Sequence, residues 1–180
     1  MPVSYFGLPM SGPTKDDLAN QLRDLLADTV QYRFLAHGSH WNVQGVNFQQ
    51  FHELFGEIYA DLEGSIDPLA ENIRKLNFTA PIQLSDYLES SEEVGEQAPT
   101  LSVDPVQLAM TLYKANEDTL ECVVKAIMLA TQINEQGIVN FLADRQDMLS
   151  KWQWQLRSVV GDQFADGVQE NVAEVSLETE

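Results

Sequence analysis

The sequence predicts an all-α fold: a bundle of four long helices with a long central crossover that carries a short helix. Three observations lead there. Apolar residues recur at three- and four-residue steps through four separate stretches, which is the period of one helix face. No stretch shows the apolar/polar alternation of a convincing strand. The two middle stretches are separated by residues 77–104, a mixed segment much longer than a tight turn, so one connection must cross the bundle.

The elements follow in order. Residues 1–13 hold three prolines and two glycines and read as an irregular arm. Thr14, followed by Asp17, has the form of a helix N-cap with an acid at the third helical position. Leu18, Leu22, Leu25, Leu26, Thr29 and Tyr32 then trace a helix face running to about His40. Asn42–Asn47, with Gly45 inside it, reads as a short connection. A second helix is predicted from about Asn47 to Leu76, with Phe48, Phe51, Phe55, Tyr59, Leu62, Ile66, Leu69 and Ile73 as its stripe. Pro68 lies inside it, and a missing backbone donor there predicts a kink near Gly64–Pro68. Pro81, Gly95, Pro99 and the acidic run Glu89–Glu96 mark the crossover, within which residues 85–89 fit a short helix.

Asp104-Pro105 opens a third helix, with proline at the first helical position. It is expected to reach about Ile133, with Val106, Met110, Tyr113, Leu120, Val124 and Ile127 among its buried residues. After a turn at Asn134–Gly137 a fourth helix runs to about Val160, using Ile138, Leu142, Met148, Leu149, Trp152 and Leu156. Residues 161–180 contain six acids and no Lys or Arg, and read as a flexible acidic tail. The domain reading is therefore an arm (1–13), a bundle (14–160) and a tail (161–180).

Composition narrows the function. The 180 residues carry 10 Lys+Arg against 28 Asp+Glu, a formal charge of −18, while 44% are hydrophobic. That is enough apolar material for a core, unlike a disordered acidic chain. The charge argues against unaided binding to nucleic acid or an anionic membrane, because neutralising phosphate takes clustered Lys and Arg. It permits a role with cations. A single cysteine, Cys122, excludes an internal disulfide framework and suits a reducing, cytoplasmic setting; it is expected to be a small buried core residue. No secretory signal is read at the N-terminus, and no apolar run approaches the ~18 residues of a membrane span.

The three histidines, His37, His40 and His52, lie within sixteen residues of one another. Histidine is the commonest neutral nitrogen ligand for transition metals. Clustering alone is equally compatible with polar residues near a helix end. Geometry adds more: in an antiparallel hairpin turning near Val46, His40 and His52 stand level on facing helices, and His37 stands level with Phe55 and Gly56. Asp67 and Glu71, four apart, share a face of the second helix. Asp67 follows His52 by fifteen residues, about 22 Å along a straight helix at 1.5 Å per residue. One cation therefore cannot bridge both within one chain. It could if two chains packed this helix antiparallel. The plain alternative for two acids among 28 is a solvated face. No histidine has Glu three positions before it, so a di-iron site inside a single bundle is not expected.

The segment from His40-Trp41-Asn-Val-Gln-Gly through His52-Glu-Leu-Phe to Asp67-Pro-Leu-Ala-Glu71 resembles the Dps family, the mini-ferritins also called starvation-induced DNA-binding proteins. The resemblance implies a ferritin-like four-helix bundle, and a homo-oligomer of twelve subunits forming a hollow shell. It implies ferroxidase sites at two-fold interfaces, with histidines from one chain and carboxylates from its partner. Fe²⁺ would be oxidised there by hydrogen peroxide or O₂, and the Fe³⁺ mineral stored inside. His40, His52, Asp67 and Glu71 fall on ligand positions, and Trp41 on the aromatic beside the site. Glu135, and less closely Asp144, are candidates for the acids that line iron entry pores.

Two departures stand out. Where the family usually has a carboxylate ligand four residues after the second histidine, this chain has Gly56. Glu57 points about 100° away and is a poor replacement. His37 shares the face of His40, and two roles are open for it: a ligand filling the space that glycine leaves, or a hydrogen-bond partner of a carboxylate or water. The second departure is charge. Residues 1–14 contain no Lys or Arg, so direct DNA binding is not expected. The leading reading is a ferroxidase and iron-storage shell. The alternatives are a non-catalytic metal-binding cage with an incomplete site, possible with zinc in place of iron, and, disfavoured by charge, a DNA-protecting protein.

Overall fold

The computed structural model describes residues 12–89 and 102–161. The N-terminal arm up to residue 11, most of the acidic run at 89–96 and the tail from residue 162 lie outside the described residues. The elements are α1 (Lys15–Asn42), α2 (Phe48–Lys75), α3 (Leu84–Glu89), α4 (Pro105–Gln132) and α5 (Gln136–Val160). Two helical hairpins, α1–α2 and α4–α5, pack together chiefly through α1 against α4, with α3 lying across α1. Among the described residues no helix is long and apolar enough to cross a membrane.

Helix starts follow the local chemistry. Thr14 Oγ1 accepts the amide of Asp17, whose carboxylate accepts the Thr14 amide in return, closing a capping box at the start of α1. Asp104 Oδ1 accepts the amides of Val106 and Gln107 at α4, behind Pro105. Between α1 and α2, Gly45 adopts φ 101° and Asn47 φ 62°, left-handed conformations that Gly and Asn tolerate best. The Gln44 amide donates to the Val103 carbonyl and ties this turn to the start of α4. α2 runs as one helix through Pro68. The short helix begins one residue earlier than expected and is held by Gln31 donating to the Tyr87 carbonyl.

The core lies where the four long helices meet. The α1 stripe is buried as the periodicity predicts, from Leu18 through Tyr32. On α2, Phe48 is exposed and Ile58 takes a place in the core instead. The α4 expectation was rotated: Val124 is exposed, and Val106, Met110, Tyr113, Leu120 and Ile127 lie at the flanks. The buried line is Leu108, Ala109, Leu112, Ala115, Asn116, Thr119, Cys122, Val123, Ala126 and Ala130. Its small residues let neighbouring helices approach, and the larger side chains close the edges of that contact. Cys122 is buried and its sulfur accepts Gln21 Nε2, as a structural thiol; burial first, then Asp28, pushes its pKa far up. On α5, Trp152 is buried while Trp154, two residues on, is exposed.

One polar group is built into the bundle between α2 and α5. Arg145 grips Asp61 with two bonds of 2.8 Å, and Trp152 Nε1 donates to the same carboxylate at 2.9 Å. Burial pushes the Asp61 carboxyl up, but these bonds and the guanidinium charge outweigh it and hold the pKa below the usual value. Tyr32 is fully buried, and burial together with the Asp61 charge raises its hydroxyl well above the ordinary range.

Candidate metal centre at the α1–α2 hairpin

The last turns of α1 and the first turns of α2 bring His40 and His52 together, with His37 one turn back on α1. His40 and His52 stack with ring centroids 3.7 Å apart and planes 21° apart. Their rings are anchored reciprocally. His40 Nδ1 lies 2.7 Å from the His52 carbonyl oxygen, and His52 Nδ1 lies 2.9 Å from the His40 carbonyl oxygen. A carbonyl only accepts, so each Nδ1 carries the proton and each Nε2 keeps its lone pair. This is the tautomer a metal-ligating imidazole needs, fixed by main-chain partners.

Gly56 leaves room beside the His40 ring. A Cβ there would stand 3.2 Å from His40 Nδ1 and 3.3 Å from its Cε1. The atoms nearest that position belong to His40 and Tyr59, and His37 is not among them. His37, on α1, packs its ring 4.3 Å from that of Tyr59 on α2 and 4.0 Å from that of Trp41. Its ring centroid is 6.3 Å from that of His40. Its Nδ1 is buried without a hydrogen-bond partner. Loss of water, then the charges of Arg33 and His40, lower its pKa against the opposing pull of Glu63.

Asp67 and Glu71 stand exposed on α2, far along the helix from the histidines of the same chain. Among the described residues no three His, Cys, Asp or Glu converge within one chain. Trp41 is 65% exposed at the rim of the histidine cluster. Glu135 precedes α5 and is paired with Lys15 at 2.6 Å; Asp144 is exposed on α5. The Arg33–Glu63 ion pair beside His37 and the Asp61–Arg145 pair were not anticipated. The latter joins residues 84 apart in sequence, and no local pattern announces such a contact.

The family model for the ferritin-like domain matches residues 19–163. The chain belongs to this family. An uncharacterized protein of Haemophilus influenzae is 30% identical to this ferritin-like chain over 147 residues, 79% of this chain and 87% of its own length. The "DNA protection during starvation protein" of Brevibacillus brevis is 27% identical over 130 residues, covering 68% of this chain and 80% of its own. The crystal structure of a Dps protein from Vibrio cholerae O1, described as a member of a broad superfamily of ferritin-like diiron-carboxylate proteins, superposes with a TM-score of 0.77 at 29% identity. It covers 89% of this chain and 98% of that one. The chain is thus a ferritin-like protein of the Dps family, with a function of the iron-storage kind.

Proposed function

We propose that this Dps-family protein oxidises Fe²⁺ with hydrogen peroxide or O₂ at centres shared between subunits and stores the Fe³⁺ product inside a hollow homo-oligomer of twelve chains. His40 and His52 of one chain supply imidazole nitrogen, and Asp67 and Glu71 of a second copy supply carboxylate oxygen. The observation that carries this reading is the reciprocal anchoring of His40 and His52, which leaves both Nε2 atoms as unoccupied acceptors at a partly exposed site. The separation of Asp67 from His52 along α2 supports a second copy as the source of the acids. Iron is the substrate here. Two ferrous ions give two electrons to one peroxide, which takes up two protons and leaves as two waters, so the reaction removes both partners of hydroxyl-radical chemistry. Imidazole and carboxylate donors suit iron, and oxygen donors favour the oxidised ion. The chain's charge of −18 would concentrate cations near the shell, an effect that salt weakens. Glu135 and Asp144 are proposed pore acids, with Lys15 moderating Glu135. The proposed setting is the cytoplasm.

The test is complementation. His52→Ala and Asp67→Ala are each expected to abolish iron oxidation, followed by near-ultraviolet absorbance. When the two variants are unfolded together and reassembled, a dimer containing one of each regains one intact centre, and random mixing restores about a quarter of the wild-type centres. No recovery on mixing, with normal assembly by light scattering, would refute the shared centre. Gly56 favours a second reading, a metal-binding cage that does not turn over; wild type that oxidises iron no faster than the air background would establish it.

A further inference from the structure

α4 carries apolar side chains outside its buried line. Leu120, Val124 and Met128 follow one another at four-residue steps, so they form one row along the helix. Leu120 is partly buried, Val124 is 38% exposed and Met128 is 57% exposed. The row is bordered by Glu121 and Lys125, whose charges pair with each other at 2.8 Å. An uncharged, apolar occupant fits a row whose bordering charges are already satisfied.

Hydrogen bonds fix where the row stands. The Gln44 amide donates to the Val103 carbonyl and Gln21 Nε2 donates to Cys122 Sγ, so α1 and α4 run antiparallel. Six residues back from Gln21 is Lys15, the first residue of α1, and six on from Cys122 is Met128. Met128 thus stands level with the point where the chain enters α1. The chain before that point includes residues 1–11, which lie outside the described residues. They hold no charged side chain, and Met1, Val3, Tyr5, Phe6, Leu8 and Met10 are among them. Eleven extended residues reach about 36 Å, whereas Met128 to Leu120 spans about 12 Å of helix. To lie on the row the chain must double back just before α1. Gly12-Pro13, a turn-forming pair, stands there, and Gly12 is exposed with open space beside it. So short a tether keeps the arm at high local concentration beside the row.

We propose that the N-terminal arm, residues 1–11, docks on this row of α4 in its own chain and covers Val124 and Met128 from water. The arm is then a strap on its own bundle rather than a segment that reaches for another molecule. The crossover also exposes Ile82, Leu84 and Leu88. It is held to α1 by Arg23, which donates to the Thr79 carbonyl, and by Gln31, which donates to the Tyr87 carbonyl. Arg23 is already about 12 Å along α1 from Lys15, so that surface lies farther from the arm than Met128 does.

The experiment reads methionine oxidation. The assembled protein, freed of iron with a chelator, is treated with dilute hydrogen peroxide, and sulfoxide at Met128 is followed by peptide mass spectrometry. Met128 is expected to oxidise at least fivefold more slowly in wild type than in a chain lacking residues 2–11. Tyr5→Asp with Phe6→Asp, which keeps the length of the arm, is expected to match the deletion. Phe6→p-benzoylphenylalanine is expected to photo-crosslink to residues 117–132 of the same chain, giving a product of monomer mobility on a denaturing gel. Helical circular dichroism and light scattering confirm that the variants fold and assemble. Fast oxidation of Met128 in wild type, unchanged by the deletion, would show an open face and overturn the inference. Slow oxidation in both would show that another copy covers the row, with the same consequence. A crosslink to residues 82–88, or to a second chain, would place the arm elsewhere and also overturn it.

Discussion

His40 and His52 hold each other through their main chains: each ring donates its Nδ1 proton to the other residue's carbonyl oxygen, at 2.7 and 2.9 Å. Neither ring depends on the other's side chain for its tautomer. His40→Ala should therefore remove one ligand while leaving His52 in the Nδ1–H form, because the carbonyl of residue 40 remains. Solid-state ¹⁵N spectra of the variant test this. A shift of His52 to the Nε2–H form would show that ring stacking, not the carbonyl, sets the tautomer.

Asp61 is expected to be the most costly polar residue to lose. Asp61→Ala leaves the Arg145 guanidinium unpaired in a largely buried place, and removing one partner of such a pair costs about 3–5 kcal/mol. Urea unfolding at neutral pH measures it. The Asp61 pKa in the folded chain lies below its ordinary 3.8, so the folded state binds fewer protons than the unfolded one. The stability it contributes is full above 3.8 and is lost as pH falls below it. The gap between wild type and Asp61→Asn should narrow at pH 3, within the precision of the assay.

His37 works in the same direction at milder pH. Its folded pKa is depressed below 6.5, chiefly by loss of water. Its contribution is present above 6.5 and declines as pH falls through that value. Comparing urea midpoints at pH 8 and pH 5.5, wild type should lose more than His37→Gln. Equal losses in both would place the pH sensitivity elsewhere.

Direct DNA association is expected to be absent. With a formal charge of −18 per chain, the assembled protein should not retard DNA in a low-salt gel without magnesium. Tight, magnesium-independent retention would contradict this.

Much of this fold was legible because it is local. The Thr14–Asp17 cap, Asp104-Pro105 and the α1 leucines announce themselves within a few residues, and the helix ends fall close to where they were expected. The α4 face was misjudged because large apolar residues look like core, whereas Ala109, Ala115, Ala126 and Ala130 carry the close helix contact. The pairing of His40 with His52 was readable from hairpin counting. What the His37 ring rests on was not readable by counting: it packs on Trp41 and on Tyr59 across the hairpin. The part played by Gly56 was visible only as a missing acid; that His40 uses its vacancy is a fact of packing.

Return to α2, a single helix from Phe48 to Lys75 that carries His52 near one end and Asp67 and Glu71 toward the other. On the shared-centre reading, this spacing subjects the chemistry to mass action. A newly made chain at low abundance holds fragments of two centres and the whole of none, so catalysis begins only when chains are numerous enough to meet. The rate of iron oxidation at high dilution would then fall with the square of chain concentration rather than in proportion to it. Synthesis itself becomes the trigger, and a lone chain in a dilute cell is chemically silent toward iron.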